Sequence, residues 1–293
     1  MVFNKKVSVI FSPYHLGHRD YRVGNGPNRI KKLGILDELK TLKLDIELVE
    51  IERVDEFEGE IGMSFEILRR ISKVVAKCVS EDRFPLVLAG NCMSTIAIAC
   101  AMRERDFGFV YFDAHDDFES PDDNENGYFD AMGLSMLHGD SWKYHTSTIP
   151  GYKPLSYDRF LYVGLRDQSS AQRQNVINAG MDFILGSSTE KVDFNLELKQ
   201  KLKEKNYSPA LVHLDLDVLD ESCGKVNDYP SAGGLFEDEL FACMKTVSLS
   251  ARPLSLTVCS FDPNAGDGDK IASIGIKAIM TFFETLIDNS NIE

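Results

Sequence analysis

The stretch FVYFDAHDDFES, residues 109 to 120, joins a predicted strand to a group of acidic residues and a histidine. Four residues suited to a β-strand lead directly into Asp113, His115, Asp116 and Asp117. Side chains two apart in a strand point to the same side. A strand continuing through this stretch would therefore present Asp113, His115 and Asp117 together. A row of carboxylate, imidazole and carboxylate is a typical metal-ligand pattern.

The stretch ALVHLDLDVLD, residues 210 to 220, repeats this arrangement with Asp215 and Asp217. Either stretch alone could be a strand end with solvated acids. Together they place five ligand-type side chains after apolar strands, where like charges repel unless cations separate them. Carboxylates with one imidazole suit Mn(II), with Zn, Fe, Co or Ni as alternatives. The two stretches predict two metal ions, and a water bound between two such ions is a nucleophile near neutral pH.

Length and charge limit the class of protein. A chain of 293 residues can bury a large core, and we interpret residues 1 to 293 as a single domain. The formal charge of -14, from 46 acidic and 32 basic residues, argues against a nucleic acid or an anionic membrane as partner. It is compatible with a cationic small-molecule substrate. The sequence shows neither a long apolar run nor a leader pattern, which favours the cytoplasm.

The cysteines do not form a disulfide or zinc-finger pattern. They are scattered, without CxxC pairs, and we expect them to be reduced and structural, with Cys92 as an exception. The six cysteines are Cys78, Cys92, Cys100, Cys223, Cys243 and Cys259.

Strand patterns alternate with helix patterns along the chain. Strands are predicted to begin near residues 7, 44, 84, 109, 159, 181, 210 and 255, with helices at 63 to 81, 168 to 179, 194 to 205 and 272 to 288. This alternation predicts an α/β fold with a mostly parallel sheet. In such folds, sites lie beyond the carboxyl ends of the strands, where the ligand candidates fall.

The segment YHLGHRDYRVGNGPNRI, which follows the first strand, reads as a loop over the mouth of a site. Its residues His15, His18 and Asp20 could line that mouth. The simpler interpretation is that they are solvated loop residues.

The motifs, in their order, resemble those of the ureohydrolases, the arginase and agmatinase family of dinuclear manganese enzymes. They are GNGP at 24 to 27, AGNCMS at 89 to 94, FDAHDD at 112 to 117, GLRD at 164 to 167, DLDVLD at 215 to 220, PSAGGL at 230 to 235 and a strand ending in DP at 262 to 263. The resemblance implies a three-layer αβα sandwich around an eight-stranded, mostly parallel sheet. It also implies a homo-oligomer, either a trimer or a hexamer.

The resemblance also assigns roles at the metal centre. Asp113 and Asp215 would bridge two Mn(II) ions, Asp117 would hold the first ion, and His115 and Asp217 would complete the second. Asp117 would in addition carry a proton from the attacking water to the leaving nitrogen.

Several positions depart from the family pattern. Cys92 stands where the first ion has a histidine ligand, so that ion should be more tolerant of Zn, Fe, Co or Ni. Ser260 replaces the glutamate that pairs with a guanidinium. The family's active-site histidine falls on Asp130, with His138 as the alternative after a small shift. Glu119 replaces an asparagine that binds the substrate α-carboxylate, which an acid would repel.

We therefore predict Asp117 and Asp130 as catalytic residues. The predicted substrate-binding residues are Glu119, Asn126, Asp130 and Ser260. Asn126 also belongs to the polar segment 122 to 126, whose usual interpretation is a solvated loop.

The sequence predicts a dinuclear-metal hydrolase that cleaves a C–N bond of a guanidino, hydroxyguanidino or amidino compound. N-hydroxy-arginine is the leading specific candidate, because a cysteine at this ligand position resembles the branch of the family that hydrolyses it. Arginine itself is disfavoured by Glu119 and Ser260. One alternative is a catalytically silent binding protein with this fold, motivated by Cys92 and Ser260. A zinc deacylase is a weaker alternative, because one Zn²⁺ needs fewer acids.

Overall fold

A computed structural model describes residues 3 to 102 and 106 to 290. The strands are β1 (Lys6–Ser12), β2 (Tyr14–His15), β3 (His18–Arg19), β4 (Asp45–Glu50), β5 (Phe84–Ala89), β6 (Gly108–Phe112), β7 (Phe160–Leu165), β8 (Asp182–Leu185), β9 (Ala210–Asp215) and β10 (Pro253–Cys259). The helices are α1 (Gly26–Lys32), α2 (Ile35–Thr41), α3 (Gly59–Ser80), α4 (Ser94–Ala101), α5 (Gly133–His138), α6 (Lys143–Thr146), α7 (Ser170–Asn178), α8 (Phe194–Glu204), α9 (Glu237–Ser250) and α10 (Gly268–Ser290).

The central element is an eight-stranded sheet with the strand order β4-β1-β5-β10-β9-β6-β7-β8. Its neighbouring strands pair in parallel, whereas β2 and β3 form a small antiparallel hairpin. The predicted α/β fold is therefore confirmed. A parallel sheet requires crossover connections, and these place helices on both faces of the sheet.

The alternation of side chains along the strands divides the core into two layers. Val212 and Leu214 of β9 belong to the layer that packs against α1, α2, α8, α9 and α10. Leu211, on the opposite face, packs in the layer that contains α3, α4, α5 and α7. Because strands of such a sheet are covered on both sides, they are nearly continuous in apolar residues. This arrangement is the predicted three-layer sandwich.

The acidic stretches leave their strands earlier than the sequence suggested. Strand β6 ends at Phe112, and β9 ends at Asp215. The Asp113 carboxylate accepts a hydrogen bond from the backbone N–H of His115 at 2.7 Å, and Asp215 accepts one from Asp217 at 2.7 Å. An aspartate that bonds to the backbone two residues on makes a turn and ends the strand. The prediction that strand alternation aligns the ligands was wrong, although turns bring them together.

Two glycines of the quoted motifs allow loops to approach the sheet closely. A Cβ at Gly90, in AGNCMS, would collide with the Tyr14 carbonyl oxygen, and one at Gly26, in GNGP, would collide with that of Phe261. Only glycine lacks this atom. The β2–β3 hairpin consequently packs against the carboxyl end of β5. Within the described ranges, the structure has no helix that is both long enough and apolar enough to cross a membrane.

Candidate metal centre

Two overlapping groups of ligand atoms lie beyond the carboxyl ends of β5, β6 and β9. The first triad is Cys92, Asp113 and Asp215, and the second triad is Asp113, His115 and Asp217. Within each triad, one ligand atom per residue lies within 4.8 Å of the others. Asp113 belongs to both triads. Of the two aspartates predicted to bridge the ions, Asp113 has the shared position, whereas Asp215 is found in the first triad.

The first triad is fully buried. The Cys92 sulfur lies 2.8 Å from the Asp215 Oδ2 atom and 2.9 Å from the Ser260 hydroxyl. Burial, followed by the nearby Cys259 and Asp215, raises the pKa of the Cys92 thiol well above its ordinary value. Burial and the charges of Asp217 and Asp113 likewise raise the pKa of Asp215. Both shifts favour the protonated forms when no cation lies among these groups.

In the second triad, an imidazole is placed between acids. The Nδ1 atom of His115 lies 3.4 Å from the Asp217 carboxylate and 3.5 Å from that of Asp113, while its Nε2 atom lies 3.6 Å from Asp167. Burial raises the pKa of Asp217. The nearby His115 and the hydrogen bond from the Asn227 side-chain amide have the larger effect, and they lower this pKa to about 2. Asp167 is positioned to orient the ring, as residues behind a metal-binding histidine usually are.

The shared residue Asp113 indicates that these groups suit a metal. Its Oδ2 atom is buried without a hydrogen-bond partner. Burial and the neighbouring Asp217 raise the pKa of Asp113 to about 7. An unpartnered carboxylate oxygen in the interior is unfavourable unless a cation contacts it. Divalent ions between these carboxylates would replace the protons and supply the missing partner, so the residues present fit a dinuclear centre.

Asp117 lies beside the centre. Within the part of the chain that the structure describes, it does not belong to either triad. The Tyr111 hydroxyl donates to its Oδ2 atom at 2.9 Å. Burial, and then the charges of Asp113 and Asp130, raise its pKa well above the ordinary range. Its backbone has φ of 50°, a left-handed conformation that non-glycine residues rarely adopt. Such strain is concentrated at functional sites.

Asp130 is a buried residue that lines the cavity, and its carboxylate accepts three hydrogen bonds. The donors are the Asn91 side-chain amide at 2.6 Å and the backbone N–H groups of Met93 at 2.8 Å and Cys92 at 3.2 Å. His138, its alternative, contacts Asp140 at 2.7 Å and is not part of the cavity lining among the described residues. The structure thus places Asp130, and not His138, at the site.

The predicted substrate-binding residues all line one cavity above the two triads. Glu119 is half-buried and is held by Asn124 and by Gln172, whose amide donates at 3.1 Å. Asn126 is exposed, and its oxygen accepts a hydrogen bond from the backbone of Tyr128 at 2.8 Å. The structure therefore brings together the residues that the sequence analysis proposed for the substrate.

The structure adds residues that sequence reasoning missed. His15, interpreted as a solvated loop residue, is only 6% exposed and borders the cavity, and its Nδ1 atom has no hydrogen-bond partner. His18 and Asp20 are exposed, as expected. Asp167 lies in the GLRD motif, so that motif was a signal for its role. Other residues that line the cavity are Arg22, Tyr128, Gln172, Asn227, Asp228, Tyr229 and Asp262.

Comparisons with known proteins agree with this geometry. A family model described as the arginase family matches residues 5–284. The arginase of Staphylococcus aureus strain MRSA252 is 25% identical over 304 residues, which covers 98% of this chain and 100% of the relative.

Solved structures share the fold. The native structure of Bacillus caldovelox arginase at pH 5.6 has a TM-score of 0.84 at 22% identity, covering 95% of this chain and 98% of that one. The formimidoylglutamase of Bacillus subtilis has a TM-score of 0.73 at 16% identity, with 96% and 86% covered.

The family match extends over nearly the whole chain and includes both triads. The chain belongs to the arginase family, and it is an enzyme of the hydrolase class.

Proposed function

We propose that the protein is a dinuclear-metal hydrolase that cleaves a C–N bond of a guanidino, hydroxyguanidino or amidino compound. The observation that carries this proposal is the pair of triads that share Asp113. Two ions held there would supply an activated water and positive charge to stabilise the developing anion. The second triad, with hard ligands, suits Mn(II). The first triad, with Cys92, should accept Zn, Fe, Co or Ni more readily.

Asp117 is the proposed proton carrier. Tyr111 fixes one oxygen of its carboxylate at 2.9 Å, which limits the rotation of the side chain at the edge of the cavity. A fixed carboxyl group can accept a proton from the attacking water and deliver it to the leaving nitrogen. Asp130 is placed to support this reaction indirectly, because it holds the backbone of Cys92. A direct catalytic role of Asp130 stays a prediction.

The charge of the lining favours a cationic substrate without a carboxylate. Glu119, Asp167 and Asp262 line the cavity. The guanidinium of Arg22, also in the lining, is already paired with Asp228. These acids would repel an α-carboxylate. Repulsion between like charges is strongest where water is excluded. We therefore propose that arginine is a poor substrate.

N-hydroxy-arginine remains a specific candidate because of Cys92, but it too carries an α-carboxylate. Guanidino or amidino compounds that end in an amine are better suited to the acidic lining. Ser260 provides a hydroxyl where a guanidinium-pairing acid is expected, and this hydroxyl contacts Cys92 at 2.9 Å. The lining thus supports a substrate class different from that named for the arginase relatives.

A substrate screen tests the proposal. The protein would be loaded with Mn(II), with or without Zn(II), and supplied with arginine, N-hydroxy-arginine and amine-terminated guanidines and amidines. Release of urea, hydroxyurea or ammonia would be measured, with Asp113→Asn as the inactive control. We expect turnover of at least one compound without a carboxylate. A protein that binds two ions yet hydrolyses none of these compounds would favour the catalytically silent alternative.

The remaining proposals concern the whole molecule. We propose that the chain forms one domain, assembles as a trimer or hexamer and acts in the cytoplasm. Size-exclusion chromatography with light scattering tests the assembly.

A further inference from the structure

A second group of soft metal ligands lies directly behind the first triad. The sulfur atoms of Cys92 and Cys259 are 3.3 Å apart, and the Cys259 sulfur lies 3.3 Å from the Nε2 atom of His213. All three side chains are buried, and their ligand atoms lie within 4.8 Å of one another. Both cysteines are free thiols.

The sheet explains why these residues meet. In the parallel pairing of β9 with β10, His213 is opposite Thr257 and Asp215 is opposite Cys259. Because side chains alternate along a strand, His213, Asp215 and Cys259 share one face of the sheet. Cys92 follows the end of β5, the strand on the other side of β10. Three neighbouring strands therefore direct two thiols and an imidazole to one point.

The imidazole is held in an orientation suited to binding. The Thr95 hydroxyl contacts the Nδ1 atom of His213 at 2.7 Å, and the Tyr111 ring stacks on the imidazole with 3.9 Å between the ring centroids. With Nδ1 engaged, Nε2 is the nitrogen that faces Cys259. A metal-binding histidine is commonly fixed in this way by a partner on its other nitrogen.

The two shorter separations among the three ligand atoms suit a small tetrahedral ion. Zn–S bonds of about 2.3 Å and Zn–N bonds of about 2.0 Å imply S···S and S···N separations of about 3.8 and 3.5 Å around tetrahedral zinc. The two separations of 3.3 Å here require shifts of about half an ångström or less. Asp215 Oδ2 lies beside the group, 2.8 Å from the Cys92 sulfur.

We propose that Cys92, Cys259 and His213 form a binding site for one thiophilic divalent cation, with Zn²⁺ the best suited. On binding, Zn²⁺ displaces one proton from each thiol, so the ion, two thiolates and a neutral imidazole sum to zero charge. A neutral assembly suits a fully buried position. Thiolates prefer Zn²⁺ to Mn²⁺. A thiophilic ion bound here would use Cys92 as an alternative to the first triad, and the second triad would remain available to a hard ion.

This inference goes beyond the hydrolase proposal, because it concerns metal binding and not turnover. The test uses the full chain, freed of metal by a chelator and kept reduced. Co(II) is titrated in, and the thiolate-to-cobalt charge-transfer absorption is followed; Zn(II) is then added as the competitor. We expect one Co(II) with sulfur ligands per chain, displaced by one equivalent of Zn(II).

The variants identify the ligands. Cys259→Ala should lose about half of the charge-transfer intensity per bound Co(II) and bind it more than about tenfold more weakly. His213→Gln should keep both sulfur ligands but show a similar loss of affinity. Cys243→Ala, which removes a buried thiol from helix α9, is the matched control and should behave as the parent. Circular dichroism shows whether each variant is folded.

Unchanged cobalt binding in the cysteine variant would contradict the proposal. If folded Cys259→Ala binds Co(II) with the parent's intensity and affinity, Cys259 is not a ligand and the proposal is wrong. Mn(II) binding, followed by electron paramagnetic resonance, separates this failure from that of the hydrolase proposal. The second triad contains neither Cys259 nor His213, so Cys259→Ala should leave its Mn(II) affinity unchanged.

Discussion

The carboxylate of Asp130 accepts a hydrogen bond from the side-chain amide of Asn91 at 2.6 Å, inside the turn that presents Cys92. The same carboxylate accepts the backbone N–H groups of Cys92 and Met93. Asp130→Ala would leave these buried donors without partners. We expect a loss of about 3 kcal/mol in the free energy of unfolding, measured by chemical denaturation.

Asp140→Ala is the control for this change. Asp140 is exposed, and among the described residues its side chain contacts only His138. Its removal should therefore change the free energy of unfolding by less than about 1 kcal/mol. Equal effects of the two variants would contradict a structural role for Asp130.

The shared position of Asp113 gives a prediction about metal stoichiometry. Asp113→Asn should weaken the binding of both ions, because this side chain belongs to both triads. Cys92→Ala should weaken the first ion only and leave the second, held by His115 and Asp217. Calorimetric titration with Mn(II) counts the sites in each variant.

Asp116→Asn provides a matched control for Asp113→Asn. Asp116 is buried near Asp113, but its carboxylate contacts the Gln168 amide at 2.5 Å and the Phe118 backbone at 3.2 Å. It should keep two ions per chain. If Asp113→Asn still bound two Mn(II) ions with unchanged affinity, Asp113 would not be a ligand shared by both ions.

Glu119 should govern discrimination against carboxylates. Glu119→Asn removes a negative charge from the cavity lining, so the KM for carboxylate-bearing guanidines should fall relative to that for amine-terminated ones. Because Glu119 is only half-buried, we expect a change of about fivefold, which corresponds to about 1 kcal/mol. The exposed Glu125→Gln is the control and should leave this ratio unchanged. An unchanged ratio in both variants would place the discrimination elsewhere.

His15 should make stability depend on pH. Burial, and then the charges of Arg22 and His18, lower the pKa of His15 from 6.5 to about 4, despite opposing effects of Asp262 and Asp228. Between pH 6.5 and about 4, the unfolded chain binds a proton that the folded chain does not. The folded state therefore loses stability as the pH falls through this window, by up to about 3 kcal/mol.

Denaturation curves from pH 7 to 4 measure this loss, and His15→Gln should make it smaller. The exposed His18→Gln in the same hairpin is the control. The same pH dependence in the parent and His15→Gln would show that His15 does not remain neutral in the folded protein.

The order of strands and helices could be predicted from the sequence, because apolar periodicity reflects burial directly. Helix α10 shows the limit of this method: it was predicted over 272 to 288 and spans Gly268–Ser290. Helix ends depend on backbone geometry that hydrophobic patterns do not specify.

The ligand residues could also be predicted, but not the reason for their convergence. Asp113, His115 and Asp217 were identified from spacing along a strand. In the structure, turns closed by Asp113 and Asp215 present them. The local hydrogen bond of an aspartate competes with strand pairing, and the sequence does not show which one prevails.

The α/β fold and the aspartates and histidine of the two triads could be predicted from local patterns of apolar and acidic residues, whereas Cys92 was identified through the family resemblance. Only the tertiary structure placed His15 in the cavity, selected Asp130 over His138, and brought Cys259 and His213 to Cys92. These residues are far apart in the chain. The parallel order of β5, β10 and β9 brings Cys92, Cys259 and His213 together, and no local pattern encodes the distance between their side chains.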